Sequence, residues 1–168
     1  MNKFIYTVLI LLIYFPAYAQ KNSLFNSIKY VNKIDRFIFV SNQLPQQDLI
    51  ELAAQARIAK MTMVLSGFVD QSSAGLEHTK IKISEINQDC CEANGPGWII
   101  YPQLFEKFKI KEVPTFVLSK RTLNSQFDFA KVTGVMSVQN ALKYIYAEAV
   151  NYQIKEDARS AFNEFKNE

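Results

Sequence analysis

Apolar positions along the chain fall into blocks of changing period. An uncharged run, FIYTVLILLIY, follows Lys3 and precedes FPAYAQ. A basic start, an apolar centre and small residues Ala17 and Ala19 at A-x-A spacing predict a secretory signal over residues 1–19, cleaved to leave Gln20 first. The run is shorter than the roughly 20 apolar residues of a membrane span, and no later segment is apolar enough to replace it. Residues 20–36 are polar with scattered apolar positions, a lead-in holding at most one short helix. FIFV (37–40) and MTMVL (61–65) read as short buried strands. Between them Pro45 suits the first turn of a helix, and Leu49, Leu52, Ala53 and Ala56 recur at i, i+3, i+4 and i+7 as one buried face. Strand, helix and strand in this order predict a right-handed parallel crossover.

Further on, Ser72 or Ser73 can cap a second helix with Leu76, Thr79, Ile83 and Ile86 on one side, ending before the CCEANGPG loop. WIIY (98–101) gives a third strand, and Pro102 opens a short helical turn burying Leu104, Phe105 and Phe108. Val113-Pro114 leads into the strand TFVL, and KRTLNS connects it as a hairpin to QFDFAKV, where Phe127 and Phe129 alternate with Asp128. Ser137 can cap a last helix carrying Ala141, Leu142, Ile145 and Ala149. No Gly or Pro follows Gly134, so this helix can run on toward the chain end. Residues 153–168 are highly charged and read as a solvated helical tail that frays. The core domain is then 37–152.

Composition narrows the function classes. After cleavage roughly 150 residues remain, enough for one domain with a single core. The formal charge is +3 before Lys3 is lost, and the cations are scattered among acids rather than gathered in a stripe, so nucleic-acid binding has no support. An exported fold built on disulfides is cysteine-dense. This chain has two cysteines, adjacent in sequence, Cys90 and Cys91.

The order of elements together with EVPTF resembles the thioredoxin-like fold. Four segments, FVSNQLP, VLSGFVD, YPQLFEKFKIKEVPTFVL and KVTGVMSVQNALKYI, are similar to the TrbC family of pilus-assembly proteins from type-F conjugative transfer systems. The resemblance covers roughly residues 37–147. It implies an α/β, thioredoxin-like fold, with a central mixed sheet of four to five strands flanked by helices and a C-terminal helical extension. It also implies a periplasmic, non-enzymatic role in pilus assembly within a type IV secretion system, with other pilus-assembly or secretion-channel proteins as partners, no cofactor, and no stable membrane span after cleavage.

In redox thioredoxins a cysteine pair sits at the start of the first helix, where the helix N-terminus favours thiolate. Here that place is Ser41 to Pro45, and a serine hydroxyl can neither match that acidity nor form a disulfide. In the same fold the backbone before the proline of a cis Val113-Pro114 bond can pair with an extended peptide. Ser41, Asn42, Gln43, Pro45, Val113 and Pro114 are therefore the expected docking surface. Cys90 and Cys91 are the alternative chemistry, a thiol-disulfide oxidoreductase or redox sensor. Adjacent Cα atoms lie about 3.8 Å apart, below the 4.4–6.8 Å usual for disulfides. Free, partly buried thiols thus lead over a vicinal bond, pairing with a partner, or a metal site. The lone His78 reads as a solvent-facing helix residue, which leaves zinc short of ligands and precludes a Ser-His-Asp set. Trp98 and Phe105, Phe108, Phe116, Phe127 and Phe129 read as core. A general exported binding module is a third, weaker reading.

Overall fold

A computed structural model describes residues 33–122 and 127–167. The expected signal sequence, its cleavage site, lead-in residues 20–32 and residues 123–126 of the expected hairpin connection lie outside the described residues. The described chain falls into two units. The small one holds Lys33, the strand ends Lys120 to Thr122 and Phe127, and in it the Arg121 guanidinium lies 5.4 Å from the Phe127 ring centroid, within cation–π range. The large one, Ile34–Ser119 with Asp128–Glu168, holds the helices and the body of the sheet.

Its elements are β1 (Ile34–Val40), α1 (Gln46–Ile58), β2 (Thr62–Leu65), α2 (Gly75–Cys91), β3 (Trp98–Ile100), α3 (Pro102–Lys107), β4 (Thr115–Arg121), β5 (Phe127–Thr133), α4 (Val138–Glu148) and α5 (Tyr152–Glu164). The sheet order is β3-β2-β1-β4-β5. β1 and β2 run parallel with Phe37 opposite Thr62, and β2 and β3 run parallel with Met63 opposite Trp98. The Gly134 N–H donates to the Pro114 carbonyl at 3.0 Å and the Thr115 and Thr133 hydroxyls meet at 2.8 Å. The start of β4 thus faces the end of β5, an antiparallel pair. This mixed, open α/β sheet is compatible with the thioredoxin-like expectation.

β1 lies at the centre, and Ile38, Phe39 and Val40 are all fully buried. Alternate side chains point to opposite faces. Ile38 and Val40 enter the larger core with Leu49, Leu52, Ala53 and Ala56 of α1, while Phe39 enters the smaller one with Val64, Leu104, Phe108 and Val117. In the smaller core the Phe39 ring meets Phe105 edge-on at 4.9 Å and Phe108 at 5.9 Å. Burying one such ring stabilises the fold by about 1.5–3 kcal/mol. Of the aromatic positions expected inside, Phe108 and Phe116 are buried, whereas Phe129 on edge strand β5 is 40% exposed.

Three expectations about elements are corrected. β1 starts at Ile34 rather than Phe37, because the Arg36 side chain is tied down: its guanidinium donates to both Asp157 carboxylate oxygens at 2.7 and 2.8 Å and to the Ala59 carbonyl at 2.8 Å. α2 continues through both cysteines instead of ending before them. The last helix is two helices. Ala149 takes an extended conformation, and the Asn151 carboxamide oxygen accepts from the Gln153 and Ile154 N–H groups to start α5. Nor is the C-terminal segment a solvated tail, since Ile154, Ala158 and Ala161 are buried in the larger core. Ser137 caps α4 as expected, accepting from Asn140 N–H at 3.2 Å. No described helix is long and apolar enough to cross a membrane.

The Arg36–Asp157 pair, with side chains 14% and 19% exposed, fastens α5 to β1. Asp157→Ala should cost about 2–3 kcal/mol, because hydrogen bonds to charged groups are lost and a cation is left half-buried. Glu156→Ala, on an exposed ion pair, should stay within about 0.5 kcal/mol. Urea unfolding of both variants checks this, and equal costs would contradict it.

Candidate docking surface

Residues Ser41 to Pro45 carry the chain from the buried end of β1 into α1. The Ser41 hydroxyl accepts from the Gln43 N–H at 3.1 Å, and the Ser41 carbonyl accepts from the Leu44 N–H at 3.1 Å, closing a turn. Pro45 is the N-cap of α1 rather than a residue of its first turn, and its carbonyl accepts from Leu49 N–H at 3.1 Å. Lys82 of α2 donates to the Asn42 carbonyl at 3.1 Å, which holds the loop against the second helix. Just before the neighbouring strand β4 the Val113–Pro114 bond is cis. Val113 is half-buried and Pro114 is buried.

A cavity of about 260 Å³ joins the two segments. Leu44 of the first loop and Pro114 of the second line it, with Leu52 and Met136 completing an apolar wall and Asp48 and Glu51 adding carboxylates. Of the six expected residues only Pro114 lines it. Ser41, Asn42, Gln43, Pro45 and Val113 flank the cavity in sequence. Asp48, Glu51 and Gln55 were missed, although with Leu52 they recur at helical spacing and so share one face of α1. Val135, Met136 and Ser137 carried no such signal. They are placed by the loop after β5, which Gln55 pins by accepting from the Val138 N–H at 2.8 Å.

The chain between Ile38 and Ile145, spanning this cavity, the cysteine pair and the cis bond, matches the family model described as type-F conjugative transfer system pilin assembly protein. The chain belongs to this family. No curated protein and no solved structure matches it.

This TrbC-family chain departs from expectation at its cysteines. Cys90 and Cys91 are bonded to each other, not free. Neighbouring side chains diverge by about 100° within a helix, and these two are the final residues of α2, where the backbone turns left-handed at Glu92 (φ 49°) and Ala93 (φ 70°). It is at this turn that they come together. The bonded pair is half-buried and sits at the opposite end of the parallel strands from the cavity. Asn87, one turn earlier in α2, accepts the indole N–H of Trp98, the first residue of β3, at 3.0 Å.

His78 is exposed, as expected, and its Nδ1 lies 2.6 Å from an Asp70 carboxylate oxygen. Hydrogen bonds from the Ser72 hydroxyl and from His78 hold the Asp70 carboxyl down from 3.8 to about 2. Ser72, Asp70 and His78 are not a hydrolytic triad, because Ser72 donates to the carboxylate and no base stands on its hydroxyl. Among the described residues no group of three or more His, Cys, Asp and Glu is placed to hold a metal.

A bond between adjacent residues closes almost no chain and constrains the unfolded state little. Cys90→Ser with Cys91→Ser should therefore leave stability within about 2 kcal/mol of the parent, the low end of the usual disulfide contribution. Thermal unfolding of the double variant measures it, and a larger loss would show that the pair supports the Asn87–Trp98 region.

Proposed function

We propose that this pilin assembly protein works in the periplasm as a non-enzymatic scaffold, docking another pilus-assembly or secretion-channel protein on the surface around Ser41–Pro45 and Val113–Pro114. The observation that carries the reading is the cavity between Leu44 and Pro114 at the carboxyl end of the first strand, where open α/β sheets receive ligands. In redox members of the thioredoxin-like fold this place holds a thiolate beside a bound chain. Here the turn from Ser41 to Leu44 and the start of α1 remain, and no thiol stands among them. An apolar wall with Asp48 and Glu51 beside it suits an occupant that inserts an apolar side chain and carries no acid next to it.

A second reading, thiol-disulfide exchange at Cys90–Cys91, draws its support from the bonded state of the pair. It differs in its readout: insulin reduction under glutathione, lost in the Cys90→Ser, Cys91→Ser variant, would favour it over a scaffold.

Ser41→Ala removes a hydroxyl that, among the described residues, bonds within its own turn, and should leave DNA transfer near the parental level. Asn42→Arg places a long cation in the loop that flanks the cavity and should impair pilus assembly while the melting temperature stays within a few degrees of the parent, as for other changes outside the core. A mating assay and a melting curve on each variant decide the matter. Normal transfer by a folded Asn42→Arg protein would remove this surface as the docking site.

A further inference from the structure

A different concave surface lies between α4 and α5, about 390 Å³ in volume. Leu142, Lys143 and Tyr146 of α4 face Arg159 and Phe162 of α5, with Lys166 just beyond. Arg159, Phe162 and Lys166 are spaced by three and four residues and so form one stripe. The Lys143 and Lys166 ammonium groups lie 5.3 and 5.6 Å from the Phe162 ring centroid, and Lys155 lies 5.7 Å from that of Tyr146.

α5 sorts its charges by direction. Asp157 and Glu164 reach back to Arg36 and to Lys60, the latter at 2.9 Å, and so are spent on the body of the protein. None of the residues lining the groove is acidic. Glu156 reaches Arg159 only at 3.9 Å with both side chains exposed, a pair worth little. The result is an aromatic floor, Tyr146 40% exposed and Phe162 half-buried, ringed by cations. We propose that this groove binds an acidic segment of a partner protein, in which carboxylates flank one aromatic or aliphatic side chain. The carboxylates pair with Lys143, Arg159 and Lys166 while the apolar side chain lies on Phe162 and Tyr146.

An anionic lipid surface fits less well. Membrane attachment of this kind uses cations spread over a face with apolar side chains projecting into the bilayer, whereas here lysine ammonium groups lie over the Phe162 and Tyr146 rings. The groove is separate from the docking surface above, and its α5 half lies beyond the matched residues 38–145.

Fluorescence anisotropy with a fluorescein-labelled peptide, Glu-Glu-Phe-Glu-Glu, tests the proposal on the signal-cleaved protein. Binding is expected, weakening as salt is raised and the screening length falls from about 10 Å toward 3 Å. A Lys143→Glu, Lys166→Glu variant should bind at least about tenfold more weakly, and Lys143→Gln should lie between it and the parent. The peptide with glutamine in place of glutamate should not bind. Melting curves confirm that the variants, changed at exposed positions, remain folded. Asn42→Arg should bind the peptide like the parent, so failure of the docking surface and of this groove are read separately. Absence of binding, equal binding by the charge-reversed protein, or binding of phosphatidylglycerol vesicles without binding of the peptide would each overturn the proposal.

Discussion

β1 is buried on both faces, and the rest of the architecture follows from that constraint. A central strand of an α/β sheet can carry no solvated side, so Ile38 and Val40 require one apolar layer and Phe39 another. The first layer is supplied by α1, α4 and α5 together with Ile86 of α2, the second by the aromatic turn around α3. β1 also delivers the chain, at Val40, to the turn beginning at Ser41. The turn thus inherits its position from three fully buried residues of β1, and the cavity lies beside it at the end of that strand.

The same geometry separates the candidate docking cavity from the cysteine pair. Parallel strands with returning helices put the start of α1 at one end of the sheet and the end of α2 at the other. The former carries the Leu44–Pro114 cavity, the latter the Cys90–Cys91 bond. A partner held at the cavity does not thereby meet the disulfide. Docking at the cavity and thiol chemistry at Cys90–Cys91 can therefore be separated by mutation.

Much of this was legible in the sequence where apolar residues repeat without interruption. The α1 face of Leu49, Leu52, Ala53 and Ala56 is buried as its spacing requires, and Ser137 caps its helix. The family resemblance, later matched by the family model, also led to the cis bond at Pro114. What stayed hidden depended on distant partners or on weak local signals. Ile34 to Arg36 look like a polar lead-in until Asp157, far along the chain, satisfies the guanidinium. The break between α4 and α5 rests on Asn151 without any glycine or proline. Small Ala158 and Ala161 conceal a buried face among charged neighbours, and so α5 reads as a tail. At the candidate site the sequence pointed to the loop from Ser41 to Pro45 and to Val113–Pro114, and of those six expected residues Pro114 lines the cavity. The cavity wall from Val135 to Ser137 was not legible, because its place is set by tertiary hydrogen bonds such as Gln55 to Val138.

The central claim, that this protein acts through contact and not through thiol chemistry, is tested most directly by conjugation frequency. Donor cells whose only copy of the protein carries Cys90→Ser and Cys91→Ser should transfer DNA at the parental frequency and display pili in normal number. Loss of transfer, with the variant present at normal level and folded, would contradict the claim and move the function to the disulfide.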